Sequence, residues 1–210
     1  MALSAHALTT LAAVKDFLKI DNTDSQYDGL LERMINAASE AIEGYCQRHF
    51  ERASYNEWYR GNGRQMLVIS QSPIIQVILV ELNNGAITDY EVMADDGMLY
   101  RLARWPAYGY PAGLVGDRVG SSRNIRVVYE AGYILPKDED LQASPPVVRT
   151  LPYDLEDACI DLVALKFNQR QEEAAGKVTR AQADYQTTYQ QDIPPRLRQV
   201  LDRYRRLVVV

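Results

Sequence analysis

Two cysteines, Cys46 and Cys159, and two histidines, His6 and His49, are the scarce reactive side chains of this chain. Thiols beside a CxxC partner or a histidine cluster would bind zinc. Neither cysteine has such a partner. Both fall on apolar helical stripes, so they read as buried thiols, with a shared structural role opposite one another conceivable. His49 stands in Arg48-His49-Phe50 at the end of a helical pattern, where an imidazole suits the helix dipole. No GxSxG elbow accompanies the histidines. Asp95-Asp96 and Asp138-Glu139-Asp140 have the charge to hold a cation, but neither has EF-hand spacing. The first reads as a hairpin turn and the second as a solvated loop. Gly61-Asn62-Gly63-Arg64 has the glycines of a phosphate cradle without GxxxxGK[ST] or GxGxxG. It lies between two strand-like segments and reads as a hairpin turn. These residues point to no catalytic centre, no metal site and no cofactor.

The C-terminal block is more informative. From Ile193 to Val210 the arginines 196, 198, 203, 205 and 206 face one acid, Asp202. Five positive charges less one leave +4 locally in a chain of net charge -5, so the remainder carries about -9. Three readings stand: a solvated amphipathic helix, a docking tail for an acidic protein surface, and direct contact with DNA. The ending Val208-Val209-Val210 favours docking, because β-branched residues can add to a partner's sheet edge.

The elements around these residues follow from periodicity. Thr9 or Thr10 is expected to cap a short helix through Leu18, with Leu11, Val14, Phe17 and Leu18 on one stripe. Asp24 or Ser25 then caps a helix to about Arg48, with Tyr27, Leu30, Leu31, Met34, Ala38, Ala41, Ile42 and Tyr45 at helical steps. From Tyr55 to Tyr133 the period drops to two. Strand candidates are Tyr55–Tyr59, Met66–Ile69, Ile74–Leu82, Tyr90–Met93, Met98–Leu102 and Ile125–Tyr129. Asn83-Asn84-Gly85 and Asp95-Asp96-Gly97 are hairpin signals. Trp105–Asn124 and Leu135–Pro152 read as an irregular loop and an extended connector. Helical period returns at Tyr153 and runs to about Gln171, and Pro194-Pro195 opens a last helix.

The expected fold class is α+β: an antiparallel helical bundle from the N- and C-terminal segments with an inserted antiparallel β module. The expected divisions are 1–50 for the first helices, 51–134 for the β module, 135–192 for the connector and second helical part, and 193–210 for the last helix and docking tail. Apolar residues at 47% and charged residues at 24% match a folded globular chain. No run approaches a membrane-spanning helix, and no basic n-region precedes the first apolar stretch, so neither a membrane protein nor a secretory signal is expected. The acidic balance argues against general coating of nucleic acid. Fourteen tyrosines suit surfaces that are half wet.

Several stretches resemble the head–tail connector (adaptor) proteins of long-tailed bacteriophages. They are Leu8-Thr9-Thr10-Leu11-Ala12-Ala13-Val14-Lys15-Asp16-Phe17-Leu18, then Asp28, Leu30 and Leu31, and Ile35 through Phe50. Gly63–Val80 with Ser72-Pro73-Ile74 is similar to that family's strand region. Val127–Tyr133 followed by Leu151–Ala158 resembles its return to helix, and Ile193-Pro194-Pro195 with Leu201–Arg206 its last helix. The segments Trp105–Asn124, Asp138–Val148 and Gly176–Tyr189 depart from the pattern.

The resemblance implies a non-enzymatic ring protein of the virion neck, assembled in the host cytoplasm. It implies a ring of neighbouring adaptor subunits, dodecameric in form, beneath the portal protein. A stopper or tail-completion protein docks below, and DNA passes through the lumen without sequence-specific binding. On that footing Arg203, Tyr204, Arg205, Arg206, Leu207, Val208, Val209 and Val210 are candidates for docking to the portal. Glu40 and Glu43, on the polar face of the long helix, and Asp138, Glu139 and Asp140 are candidates for lining the channel. At 4 Å, like unit charges repel by about 1 kcal/mol in water, so a repeated acidic lining keeps phosphates moving. The alternative is a DNA-binding regulatory protein acting through its basic last helix.

Overall fold

The structure, a computed structural model, describes residues 2–106, 123–174 and 193–206. It is a mixed α+β chain whose elements run helices, strands, helices. Two compact units divide it: Met1–Phe50 with Ile134–Arg205, and Glu51–Tyr133 with Arg206.

The helical unit contains α1 (Leu11–Leu18), α2 (Asp28–Cys46), α3 (Tyr153–Ala174) and α4 (Pro195–Leu201). Thr10 caps α1, its hydroxyl accepting the Ala13 N–H at 3.2 Å. Neither Asp24 nor Ser25 caps α2, which starts later, behind Tyr27. The Asp24 carboxylate instead takes the Gln26 N–H at 2.9 Å and is used up in the turn. α1 and α2 both pack on α3. Leu31, Ile35, Ala38 and Ile42 of α2 and Leu155, Cys159, Leu162 and Val163 of α3 are buried in that seam. Phe17, expected on the apolar stripe of α1, is 54% exposed. The buried residues of that helix are Val14, on the expected stripe, and Lys15. Its ammonium reaches the Asn22 and Asp24 carbonyls at 3.3 and 2.9 Å and the Asp28 carboxylate at 2.5 Å. A buried ammonium without such partners would cost several kcal/mol, so the polar turn is wrapped around it.

Among the described residues the β unit holds seven strands: β1 (Ala53–Tyr59), β2 (Met66–Val68), β3 (Ile74–Leu82), β4 (Gly85–Ala86), β5 (Glu91–Met93), β6 (Met98–Tyr100) and β7 (Ile125–Ala131). They form two antiparallel sheets, one in the order β1-β7-β3-β4 and one in the order β2-β6-β5. Asn83 and Asn84 take φ of 50° and 66° between paired Leu82 and Gly85, a two-residue hairpin turn. Gly61-Asn62-Gly63 is not a hairpin, because β1 and β2 belong to different sheets. Asn62 ties that loop by donating to the Met66 carbonyl and accepting the Arg64 N–H. Gly61 is needed for a close approach: a Cβ there would stand 1.8 Å from the Pro106 carbonyl oxygen.

Tyr129, Val127 and Ile125 of β7 are fully buried with Leu99 and Trp105. Trp105, expected to open an irregular loop, is anchored by its indole N–H to the Gln65 and Leu99 carbonyls at 3.0 and 3.2 Å. Residues 107–122, most of that expected loop, lie outside the described residues.

Candidate functional site

The C-terminal segment is positioned by α4. Pro194 precedes its first turn, and Leu197 and Leu201 are buried beneath it. A 3-10 turn, Asp202–Tyr204, follows. Its acid and its tyrosine point back into the helical unit. Tyr45 donates its phenol to Asp202 at 2.7 Å, and Tyr204 donates to Asp154 at 2.6 Å, with its ring edge-on to Phe50 at 6.4 Å. The hydrogen bond to Asp202 raises the Tyr45 phenol above its usual range. The arginines face outward. Arg203 is exposed and 3.7 Å from Asp154. Arg205 is exposed, 3.8 Å from Asp202 and 5.2 Å over the Tyr45 ring. Such exposed pairs hold geometry more than they add stability. Arg206 lines a cavity of about 530 Å³ on the β unit with Arg60, Arg123, Trp58 and Ser70. Leu207, Val208, Val209 and Val210 lie outside the described residues.

The acidic candidates separate. Glu40 is exposed on α2. Glu43 is 7% exposed and does not sit on the polar face. Its Oε1 accepts the Phe50 N–H at 3.0 Å and its Oε2 meets His49 Nδ1 at 2.8 Å. The reason is the chain reversal after Gln47, which takes φ of 55° and folds residues 48–50 back over the last turn of α2. Asp138, Glu139 and Asp140 are exposed, but each also shapes its own loop. Lys137 holds Asp138 at 2.7 Å, Glu139 accepts the Arg149 N–H at 3.3 Å, and Asp140 accepts the Gln142 and Ala143 N–H groups.

Two groupings were not legible beforehand. His6, Glu43 and His49 converge, with candidate ligand atoms all within 4.8 Å of one another. The other is the set of exposed apolar side chains on separate strands of the four-stranded sheet: Trp58 on β1 and Ile75 and Ile78 on β3, exposed by 42%, 45% and 56%. The pairing of β3 with β7 slips between Ile74 and Gln76 and again between Val77 and Leu79. Ile75 and Ile78 are the two extra residues, lifted out of the ladder by bulges. The signal was present as an apolar run in β3 without strict alternation. The two cysteines find separate partners: Cys46 reaches the Leu201 carbonyl at 3.7 Å, and Cys159 lies 3.6 Å from the Ser39 hydroxyl.

A search among curated proteins finds no match. The fold is similar to a chain in a structure described as "Neck of empty GTA particle computed with C6 symmetry", at TM-score 0.55 and 16% identity, covering 100% of this chain and 95% of that one. A chain of "Neck of native GTA particle computed with C12 symmetry" matches at TM-score 0.53 and 16% identity, covering 100% and 94%. A chain of "Virion of native gene transfer agent (GTA) particle" matches at 0.53 and 17%, covering 100% and 95%. The model of one family, described as head completion protein, matches residues 7–207. With nearly its whole length matched, the chain belongs to the head completion protein family.

Proposed function

We propose that this chain is a structural adaptor of the neck of a phage-type virion, tiling with copies of itself into a ring around the DNA channel. The observation that carries the reading is the family match over residues 7–207, joined to full-length likeness to neck structures computed with C6 and C12 symmetry. The match does not favour the alternative of a DNA-binding regulator. The chain acts by shape, without bond-making chemistry. In this reading the helices from both ends form an antiparallel bundle, and the strand region is a module inserted between them. A ring needs two different faces that meet head to tail, and a bundle with a β module supplies them. The exposed Trp58, Ile75 and Ile78 suit contact with a neighbouring subunit or the next neck protein.

The docking partner of the tail is the portal protein. Arg203, Arg205 and Arg206 meet its acids, and Leu207 to Val210 extend one of its sheets. Tyr204 serves the tail indirectly, by anchoring the segment to Asp154. Glu40 and the Asp138–Asp140 loop face the lumen, and the buried Glu43 is withdrawn from that role. The opposite rim receives a stopper or tail-completion protein.

The test is a truncation of residues 206–210, placed after Tyr204 so that its internal hydrogen bond survives. Portal binding, read by co-sedimentation and negative-stain imaging, is expected to be lost while the circular dichroism spectrum is unchanged. Full portal binding by the truncated chain would refute the docking role. Particles that place the full chain away from the axial channel would refute the ring.

A further inference from the structure

We propose that His6, Glu43 and His49 bind one divalent transition cation of the zinc class, stapling the N-terminal segment to the end of α2. Two imidazoles and one carboxylate suit zinc, with water completing the coordination. Each donor stands on fixed backbone. His6 precedes the fully buried Ala7 and Leu8. Its segment is tied to α2 by the Ser4 N–H on Asn36 at 2.9 Å and the Leu8 N–H on Ser39 at 3.0 Å. Glu43 lies in the last turn of α2, and the Phe50 N–H on its Oε1 fixes the carboxylate's rotation, as supporting contacts around metal ligands do. His49 follows the left-handed Gln47 that closes the helix.

The distances fit a cation after small side-chain movements. Around a tetrahedral zinc with bonds of about 2.0–2.1 Å the donor atoms stand about 3.3 Å apart. His49 Nδ1 and Glu43 Oε2 are now 2.8 Å apart, and His6 Nδ1 and Glu43 Oε1 are 3.9 Å apart. These two contacts are to different oxygens of the carboxylate, and the candidate donor atoms as a set lie within 4.8 Å of one another, so the two half-exposed imidazoles must turn to close on one cation. The two rings already lie 5.1 Å apart at 33°. Without the cation the 2.8 Å contact has His49 Nδ1–H donating to the Glu43 carboxylate; the cation takes that proton's place and leaves the ring proton on Nε2. The carboxylate charge and the negative end of the 19-residue α2 both favour a cation there.

The experiment uses the full, tag-free chain, treated with chelator and then titrated with Co²⁺ and with Zn²⁺ at neutral pH. One Co²⁺ per chain is expected, with a visible absorption band that Zn²⁺ abolishes by displacement. The thermal midpoint should rise with Zn²⁺ concentration, as ligand binding to the native state requires. His6→Ala should weaken Co²⁺ binding at least about tenfold, since losing even a supporting contact of a metal ligand costs about 10–100-fold. Should His6→Ala fail to fold by circular dichroism, His49→Ala provides the same reading. Absence of a saturable band, or a loss of less than tenfold in the folded variant, overturns the proposal.

Discussion

Replacing Tyr129 by phenylalanine removes one oxygen atom from the centre of the β unit and leaves the ring in place. That oxygen makes three contacts, the longest a 3.4 Å approach of the Tyr59 hydroxyl. It donates to the Glu57 carboxylate at 2.7 Å and accepts the Gln71 N–H at 3.2 Å. A hydrogen bond to a charged group contributes about 1.5–3 kcal/mol, and a buried amide left without a partner costs about 1–3 kcal/mol. Tyr129 is fully buried and Gln71 nearly so, so solvent does not replace either contact directly. The two losses overlap, because Tyr59 remains as a second donor to the same carboxylate. The expected loss is about 3 kcal/mol, a large share of the roughly 5–15 kcal/mol that keeps such domains folded. Urea unfolding of the full chain at neutral pH measures it, with an unchanged m-value showing that the native state stayed compact. The double variant Tyr59→Phe with Tyr129→Phe sharpens the test. It strips Glu57 of both phenols, so its cost should exceed the sum of the single variants by about 1 kcal/mol. A loss below about 1 kcal/mol for Tyr129→Phe, or strict additivity in the cycle, would refute the account of a shared carboxylate network.

Other outcomes follow from the same contacts. Gly132→Ala should destabilise the chain by at least about 3 kcal/mol in the same assay, because φ is 109° and the new Cβ would meet the Glu51 carbonyl oxygen at 2.3 Å. Gly85→Ala, whose Cβ would meet nothing closer than 3.5 Å, is the near-neutral control. Burial first, and the bond to Glu57 second, push the Tyr59 phenol up to about 12. The native state therefore holds that proton more tightly than the unfolded chain. The associated stability is fully present below about pH 10, the ordinary tyrosine value, and is lost as pH rises through 12. Denaturant midpoints measured from pH 9 to 12 should fall, and Tyr59→Phe should flatten the slope. Burial likewise pushes the Cys46 and Cys159 thiols up to about 12. Iodoacetamide at pH 8 should leave both unmodified in the native protein and alkylate both in urea, since the thiolate is the reactive form; rapid native labelling would contradict the burial argument.

Local chemistry determined which segments became helices and strands. The apolar steps of α2 and α3, the Thr10 cap, the Asn83-Asn84 turn and the prolines before α4 act within a few residues of themselves, so the linear text displays them. The change from helical to alternating period near Phe50 marked the mixed class in the same way. The expected surface position of Glu43 failed because helical periodicity does not register a chain reversal that caps the helix with its own downstream residues. The hairpin at Gly61 failed because turn residues announce a turn without naming the strand that comes next. Sheet order and bulges depend on partners about 50–80 residues apart in sequence, such as β1 and β7. The exposed isoleucines of β3 thus became visible only after pairing was known. The meeting of His6 with Glu43 and His49 has the same origin: 37 residues separate the first two donors, and only the packing of the N-terminal segment on α2 brings them within reach of one ion.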